Sequence, residues 1–199
     1  MKLLKIILSV QDIKKYKLRD TYSYHKFIYN MFDNTRVSMQ ESSGFLWSLE
    51  DHGNFKEVII LTKKEPNITD DLSKFKLITV PEKLFDFENF NFKICINPVK
   101  RRENKAIPLT TPTEIISWFS AYMSKKGMTI DMNMLSLDKL WVDKFTKGNL
   151  GEHTVTINKC ILSGILHVND KDLFINAFSN GLGREKSFGC GLLRLSPIF

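Results

Sequence analysis

FNFKICINPVK, residues 90–100, alternates in chemistry: Phe90, Phe92, Ile94 and Ile96 are apolar, and Asn91, Lys93, Cys95 and Asn97 fall between them. A period of two is that of a strand with one buried face. This stretch decides the fold because the order of elements before it begins again at it. Upstream, residues 3–9 read as a strand, and Asp20 or Thr21 opens a helix to about residue 32. Residues 37–49 and 55–62 then pair across the polar turn Asp51-His52-Gly53-Asn54, a short helix covers about 69–75, and 76–80 close a sheet. Downstream, TPTE at 111–114 is a capping box with Pro112 at the first helical position, and Ile115, Ile116, Phe119 and Met123 follow at helical spacing. Residues 128–140 and 154–168 are β-rich arms around a polar segment at 143–153. Residues 170–180 form a helix with Leu173, Phe174, Ala177 and Phe178 on one side, and 190–195 form the last strand. Each half reads β-α-β-β-α-β, so the expected fold class is α+β with tandem ferredoxin-like domains at 1–80 and 90–199, joined by a linker at 81–89.

A chain of 199 residues that is 43% hydrophobic can bury real cores. Lys and Arg outnumber Asp and Glu by 29 to 22, a balance that favours anionic partners. In the opening MKLLKIILSV, Lys5 interrupts the apolar run and no small-residue cleavage site follows, so it reads as a strand and not a signal peptide. No stretch approaches the ~20 apolar residues of a membrane span. Cys95, Cys160 and Cys190 are odd in number and far apart, which fits buried thiols in a reducing cytoplasm. The sequence offers neither zinc-type spacing nor a run of acidic ligands, and no cofactor or metal is expected.

The helix RDTYSYHKFIYNMF, residues 19–32, carries two faces of different kinds. Tyr24, Phe27, Ile28, Met31 and Phe32 recur at core spacing. Tyr22, His25, Lys26 and Tyr29 recur on the opposite side, where they are expected to be exposed and where residues three and four apart converge on one ligand. A phenol, an imidazole and an ammonium suit phosphodiester cleavage without metal. An RNA 2′-hydroxyl must lose a proton, the leaving oxygen must gain one, and the phosphorane needs cationic support. His25 exchanges protons near neutrality, whereas Tyr22 is better suited to orienting or weak-acid work.

Basic residues cluster on three expected loops: Lys100, Arg101, Arg102 and Lys105; Lys144 and Lys147; and Arg184 with Lys186. The third lies in GLGREKSFGCG, residues 181–191, where Gly181, Gly183, Gly189 and Gly191 exceed what a helix stop needs, so the backbone is expected to lie close to an anion. GREKS lacks the GxxxxGK[ST] pattern and runs from helix to strand, which excludes a phosphate loop. SGFLWSL does not match the aromatic ribonucleoprotein motif.

The ending GLGREKSFGCGLLRLSP, the segment KICINPVK and the helix RDTYSYHKFIYNMF together resemble CasE, the repeat-RNA endoribonuclease family of the subtype I-E CRISPR system. That resemblance implies the tandem ferredoxin-like fold of the RAMP superfamily. It also implies metal-independent cleavage of precursor RNA at the base of a repeat hairpin, leaving a 5′-hydroxyl and a cyclic or related terminal phosphate. Its implied partners are the CRISPR repeat stem-loop, as precursor and product, and the other Cascade subunits. The family's Tyr-x-x-His falls on Tyr22 and His25, and its glycine-rich loop on residues 181–191, with Gly181, Gly183, Arg184, Lys186 and Ser187 among the expected RNA contacts beside Lys26. Its groove-entering hairpin falls on residues 144–153. The segment after NPVK is short here, which removes contacts longer members make. Two other classes fit the residues less well: a repeat-RNA-binding subunit that does not cut, and a scaffold that binds protein alone.

Overall fold

The computed structural model describes residues 1–32, 44–68, 72–103, 105–147 and 153–199. The chain divides into two compact units. The first holds Met1–Val80 with Phe145–Val155 and Ser187–Gly189; the second holds Pro81–Lys144, Thr156–Lys186 and Cys190–Phe199.

In the first unit, β1 (Lys2–Ser9) lies between β3 (Phe55–Thr62) and β4 (Phe75–Thr79), and β2 (Phe45–Asp51) pairs with β3. All three pairings are antiparallel, with Lys5 opposite both Ile59 and Lys76. The order β2-β3-β1-β4 is that of a ferredoxin-like sheet. Leu4, Ile6 and Leu8 alternate inward on β1 and are buried with Val58, Ile60 and Trp47. Burying each such side chain stabilises the fold by about 1.5–3 kcal/mol. The helix α2 (Thr21–Tyr29) covers this face with Tyr24 and Ile28. It starts at Asp20, whose carboxylate accepts the Ser23 N–H at 2.8 Å, while Ser23 Oγ accepts the Asp20 N–H at 3.0 Å.

Two elements of this unit differ from expectation. A six-residue helix, α1 (Val10–Lys15), follows β1 directly, where no element is expected between the first strand and Asp20. Ser9 and Asp12 cap it reciprocally, a box too short to stand out in a polar stretch. The short helix expected at 69–75 is a 3-10 turn at Leu72–Lys74, with 69–71 outside the described residues; the expected strand at 37–49 likewise begins in residues outside them.

Asp12 ties α1 to that 3-10 turn through Lys74 Nζ. The Lys74 hydrogen bond, followed by that from Ser9, holds the Asp12 carboxyl down at about 2 against the opposing effect of burial. A carboxyl lowered on folding contributes stability above its unfolded value, and that contribution disappears as pH falls from about 4 towards 2. Asp12→Asn should therefore cost about 2 kcal/mol at neutral pH and flatten the acid limb of the stability curve, measured by urea unfolding across pH. An acid limb equal to wild type would remove Asp12 as its cause.

In the second unit, β5 (Asn89–Ile96) pairs with β10 (His153–Val168) and β11 (Leu193–Pro197), and β10 also pairs with β8 (Met128–Ile130) and β9 (Ser136–Lys147). Ile94 sits opposite both Leu162 and Leu193. The order β11-β5-β10-β8 repeats the ferredoxin-like pattern, with the expected arm at 128–140 split into two strands at a turn where the Asn133 N–H donates to Asp131 Oδ1. The helix α3 (Pro112–Ser124) buries Ile115, Phe119 and Met123, and α4 (Lys171–Asn180) buries Phe174, Ala177 and Phe178. Leu173, expected on that stripe, lies at its margin and is 42% exposed. Residues 81–89, read as a linker, carry a 3-10 turn at Glu82–Asp86 whose Leu84 and Phe85 pack with Phe87 against the second core. The segment after NPVK is a hairpin of β6 (Val99–Arg102) and β7 (Lys105–Pro108), not a loop; its four-residue strands were too short and too polar for pattern to reveal. Among the described residues, no helix is long and apolar enough to cross a membrane.

Candidate active site

Capping at Asp20 fixes where α2 begins, and hence which residues share a face. Tyr22 and His25 stand one turn apart with rings nearly parallel, at 17° and 6.4 Å between centroids. They are half-buried, not exposed as the helical pattern implied. Phe145 stacks on Tyr22 at 6.3 Å and 10°, Phe188 packs on His25 at 5.7 Å, and the two phenylalanines touch at 4.9 Å. Tyr29 also packs on the imidazole, at 5.7 Å between centroids. Such a wall lowers the local dielectric and strengthens any hydrogen bond made to a charged group there. Lys26 Nζ stays exposed and lies 4.5 Å from the Tyr22 ring centroid.

Tyr24, the neighbouring phenol, faces the core and stacks on Trp47. Burial, helped by Asp51, pushes its pKa up to about 12. It therefore stays neutral and belongs to the core, whereas Tyr22 and Tyr29 both lie beside the imidazole.

The glycine-rich segment is shaped by packing within each unit. In the first, the Trp47 indole donates to the Ser187 carbonyl at 3.0 Å, and a Cβ on Gly189 would approach the same ring to 3.2 Å. In the second, the Gly191 N–H donates to the Cys95 carbonyl at 2.7 Å and the Leu182 N–H to the Gly191 carbonyl at 2.9 Å. A Cβ on Gly191 would lie 2.3 Å from the Leu182 carbonyl oxygen, so glycine is demanded there by the protein's own backbone. Gly181 ends α4, and Lys186 Nζ donates to the Asn180 carbonyl at that helix end. Burial, then Lys126, lowers the Lys186 pKa.

The other expected residues lie on other elements. Lys100, Arg101 and Arg102 lie exposed on β6 and Lys105 on β7; Lys144 and Lys147 are exposed on β9, and the tip at 148–152 lies outside the described residues. His167 Nδ1 is 3.0 Å from Asn89 Oδ1, as befits a structural histidine. Cys160 and Cys190 are buried and Cys95 half-buried, none of them in a disulfide. The sequence showed no acidic ligand run, yet the β2–β3 turn brings donor atoms of Glu50, His52 and Glu57 within 4.8 Å of one another. Lys5 forms an ion pair with Glu57 there.

Phe145, Phe188 and Trp47 were missed as site residues. Their signal was hidden because 140 residues separate Trp47 from its Ser187 partner and apolar residues in β-rich segments read as core.

Two antiparallel sheets in one chain, each with the ferredoxin-like strand order, define a tandem ferredoxin-like protein. The chain belongs to the CRISPR-associated protein family, whose profile matches residues 1–197. It is 24% identical over 195 residues to the CRISPR system Cascade subunit CasE of Escherichia coli (strain K12), covering 90% of this chain and 94% of that one. Among solved structures, Thermus thermophilus Cse3 bound to an RNA representing a pre-cleavage complex is 20% identical with a TM-score of 0.78, covering 98% of each chain. Cas6e from Escherichia coli K-12 is 22% identical with a TM-score of 0.64 over 100% of each. The resemblance to CasE read from the sequence stands.

Proposed function

We propose that this chain is an endoribonuclease that cuts CRISPR precursor RNA at the base of the repeat stem-loop and keeps the product as a Cascade subunit. The observation that carries this reading is the Tyr22–His25 pair on α2, held in one orientation by Phe145 and Phe188. A relative caught with RNA in a pre-cleavage complex and another named as a Cascade subunit support the substrate and the assembly.

In the reaction, a 2′-oxygen bonds to the adjacent phosphorus as its proton leaves, and the phosphorus–5′-oxygen bond breaks as that oxygen gains a proton. The products are a 2′,3′-cyclic phosphate and a 5′-hydroxyl. His25 exchanges one of those protons, Tyr22 orients the phosphate through its hydroxyl, and Lys26 supplies positive charge to the phosphorane. Lys105, Arg102, Lys144 and Lys147 bind phosphates of the stem, whose base edges lie in a groove too deep for side chains to read.

The test is single-turnover cleavage of a cognate repeat RNA in EDTA, with Tyr22→Phe beside wild type. Wild type should cut at an unchanged rate with chelator, and Tyr22→Phe should cut more slowly at unchanged affinity. Cleavage that stops in EDTA would transfer attention to Glu50, His52 and Glu57 and sink the side-chain mechanism. Failure to cut any repeat RNA while binding it tightly would make the chain a binding subunit.

A further inference from the structure

Within the second unit lies a groove of about 400 Å³, in the size range of small-ligand sites. Its aromatic part is Trp118, on α3, stacked on Tyr122 at 5.4 Å and 16°. The Tyr122 hydroxyl accepts the Gly183 N–H at 2.9 Å, which fixes the phenol and with it the half-buried indole. Its charged part is Lys100 and Arg101 from β6 and Arg184 from the glycine-rich segment, all exposed. No carboxylate lines it among the described residues.

Asn97 adds an independent sign of a ligand. Its side chain lines the groove, the residue is only 7% exposed, and its Oδ1 has no hydrogen-bond partner among the described residues. A buried carboxamide oxygen without a partner costs about 1–3 kcal/mol, a cost a ligand donor would remove. Rotation of the amide presents either a donor or an acceptor to whatever enters.

We propose that this groove holds one unpaired nucleotide of an RNA strand. Its base lies against Trp118, its polar edge meets Asn97, and its phosphate meets Arg101, Arg184 and Lys100. A planar ring platform beside three cations matches a nucleotide, because a base stacks on an aromatic face while its phosphate requires positive charge. A paired base has both faces occupied, so the site selects single-stranded RNA flanking a stem. Only the identity of the polymer rests on the proposed function; the groove itself is separate from the Tyr22–His25 pair in the chemistry it performs.

The experiment uses the full chain with a short fluorescein-labelled single-stranded RNA, read by anisotropy, and AMP as competitor. Trp118→Ala should weaken binding of the oligonucleotide by roughly 10- to 100-fold, from the ~1–3 kcal/mol of one base stack. Trp118→Phe should restore most of it, which a merely structural role would not distinguish from alanine in a native-like fold. Arg184→Gln should weaken binding and reduce its salt dependence with Trp118 intact. Competition by AMP would show that one nucleotide suffices; its absence would assign the affinity to the strand. Wild type that fails to bind the oligonucleotide at millimolar concentration, or Trp118→Ala that binds equally well, overturns the proposal. Wild-type cleavage of a repeat stem-loop that carries no flanking nucleotides does not use this groove, so a failure of cutting there and a failure of strand binding in the anisotropy assay are distinguishable.

Discussion

His25→Ala should slow repeat-RNA cleavage by ~10² to 10⁴-fold under single-turnover conditions, because proton exchange with the reacting oxygens would no longer accompany bond breaking. The imidazole packs against both Tyr29 and Phe188, each at 5.7 Å between ring centroids. Truncation therefore removes a packed, half-buried ring and not an exposed surface group. Affinity for the repeat should be nearly unchanged, since on the proposed reading most of it comes from phosphate contacts elsewhere in the chain. A His25→Ala protein that cuts at the wild-type rate would leave the family fold with its chemistry elsewhere.

Gly191→Ala should be among the most destabilising single-methyl changes in the chain. Gly191 has φ +87°, where an L side chain costs about 1–2 kcal/mol, and the new Cβ would lie 2.3 Å from the Leu182 carbonyl oxygen. Neither backbone can easily retreat. The Leu182 N–H is bonded to the Gly191 carbonyl and the Gly191 N–H to the Cys95 carbonyl on β5. Adding the usual cost of overpacking brings the loss to roughly 2–5 kcal/mol, a fall in Tm of roughly 5–20 °C. Gly53 is the control: its φ is +78°, yet nothing lies within 4 Å of a Cβ there. Gly53→Ala should cost only the conformational term, about 1–2 kcal/mol. Equal melting temperatures for the two variants would show that Gly191 is not held by packing. The comparison also separates two uses of glycine in one chain, since a substitution that merely blocked RNA would leave Tm unchanged.

Local chemistry made much of this protein legible from its residues alone. Alternation in residues 90–97, the caps at Asp20 and Thr111 and the apolar stripe on α2 each depend on neighbours within a few positions, so both ferredoxin-like sheets and the helix bearing Tyr22 and His25 followed from pattern. The same reasoning failed where the signal was short: four-residue strands at Val99–Arg102 and Lys105–Pro108, and a six-residue helix closed by Ser9 and Asp12. Only tertiary packing decided that Tyr22 and His25 are half-buried, because Phe145 and Phe188 reach them from more than a hundred residues away and nothing in either segment marks the contact. It also decided the meaning of the glycines. Composition identified backbone that must come close to something, and at Gly189 and Gly191 that something is Trp47 and Leu182, since steric exclusion acts through space and leaves no trace in local sequence.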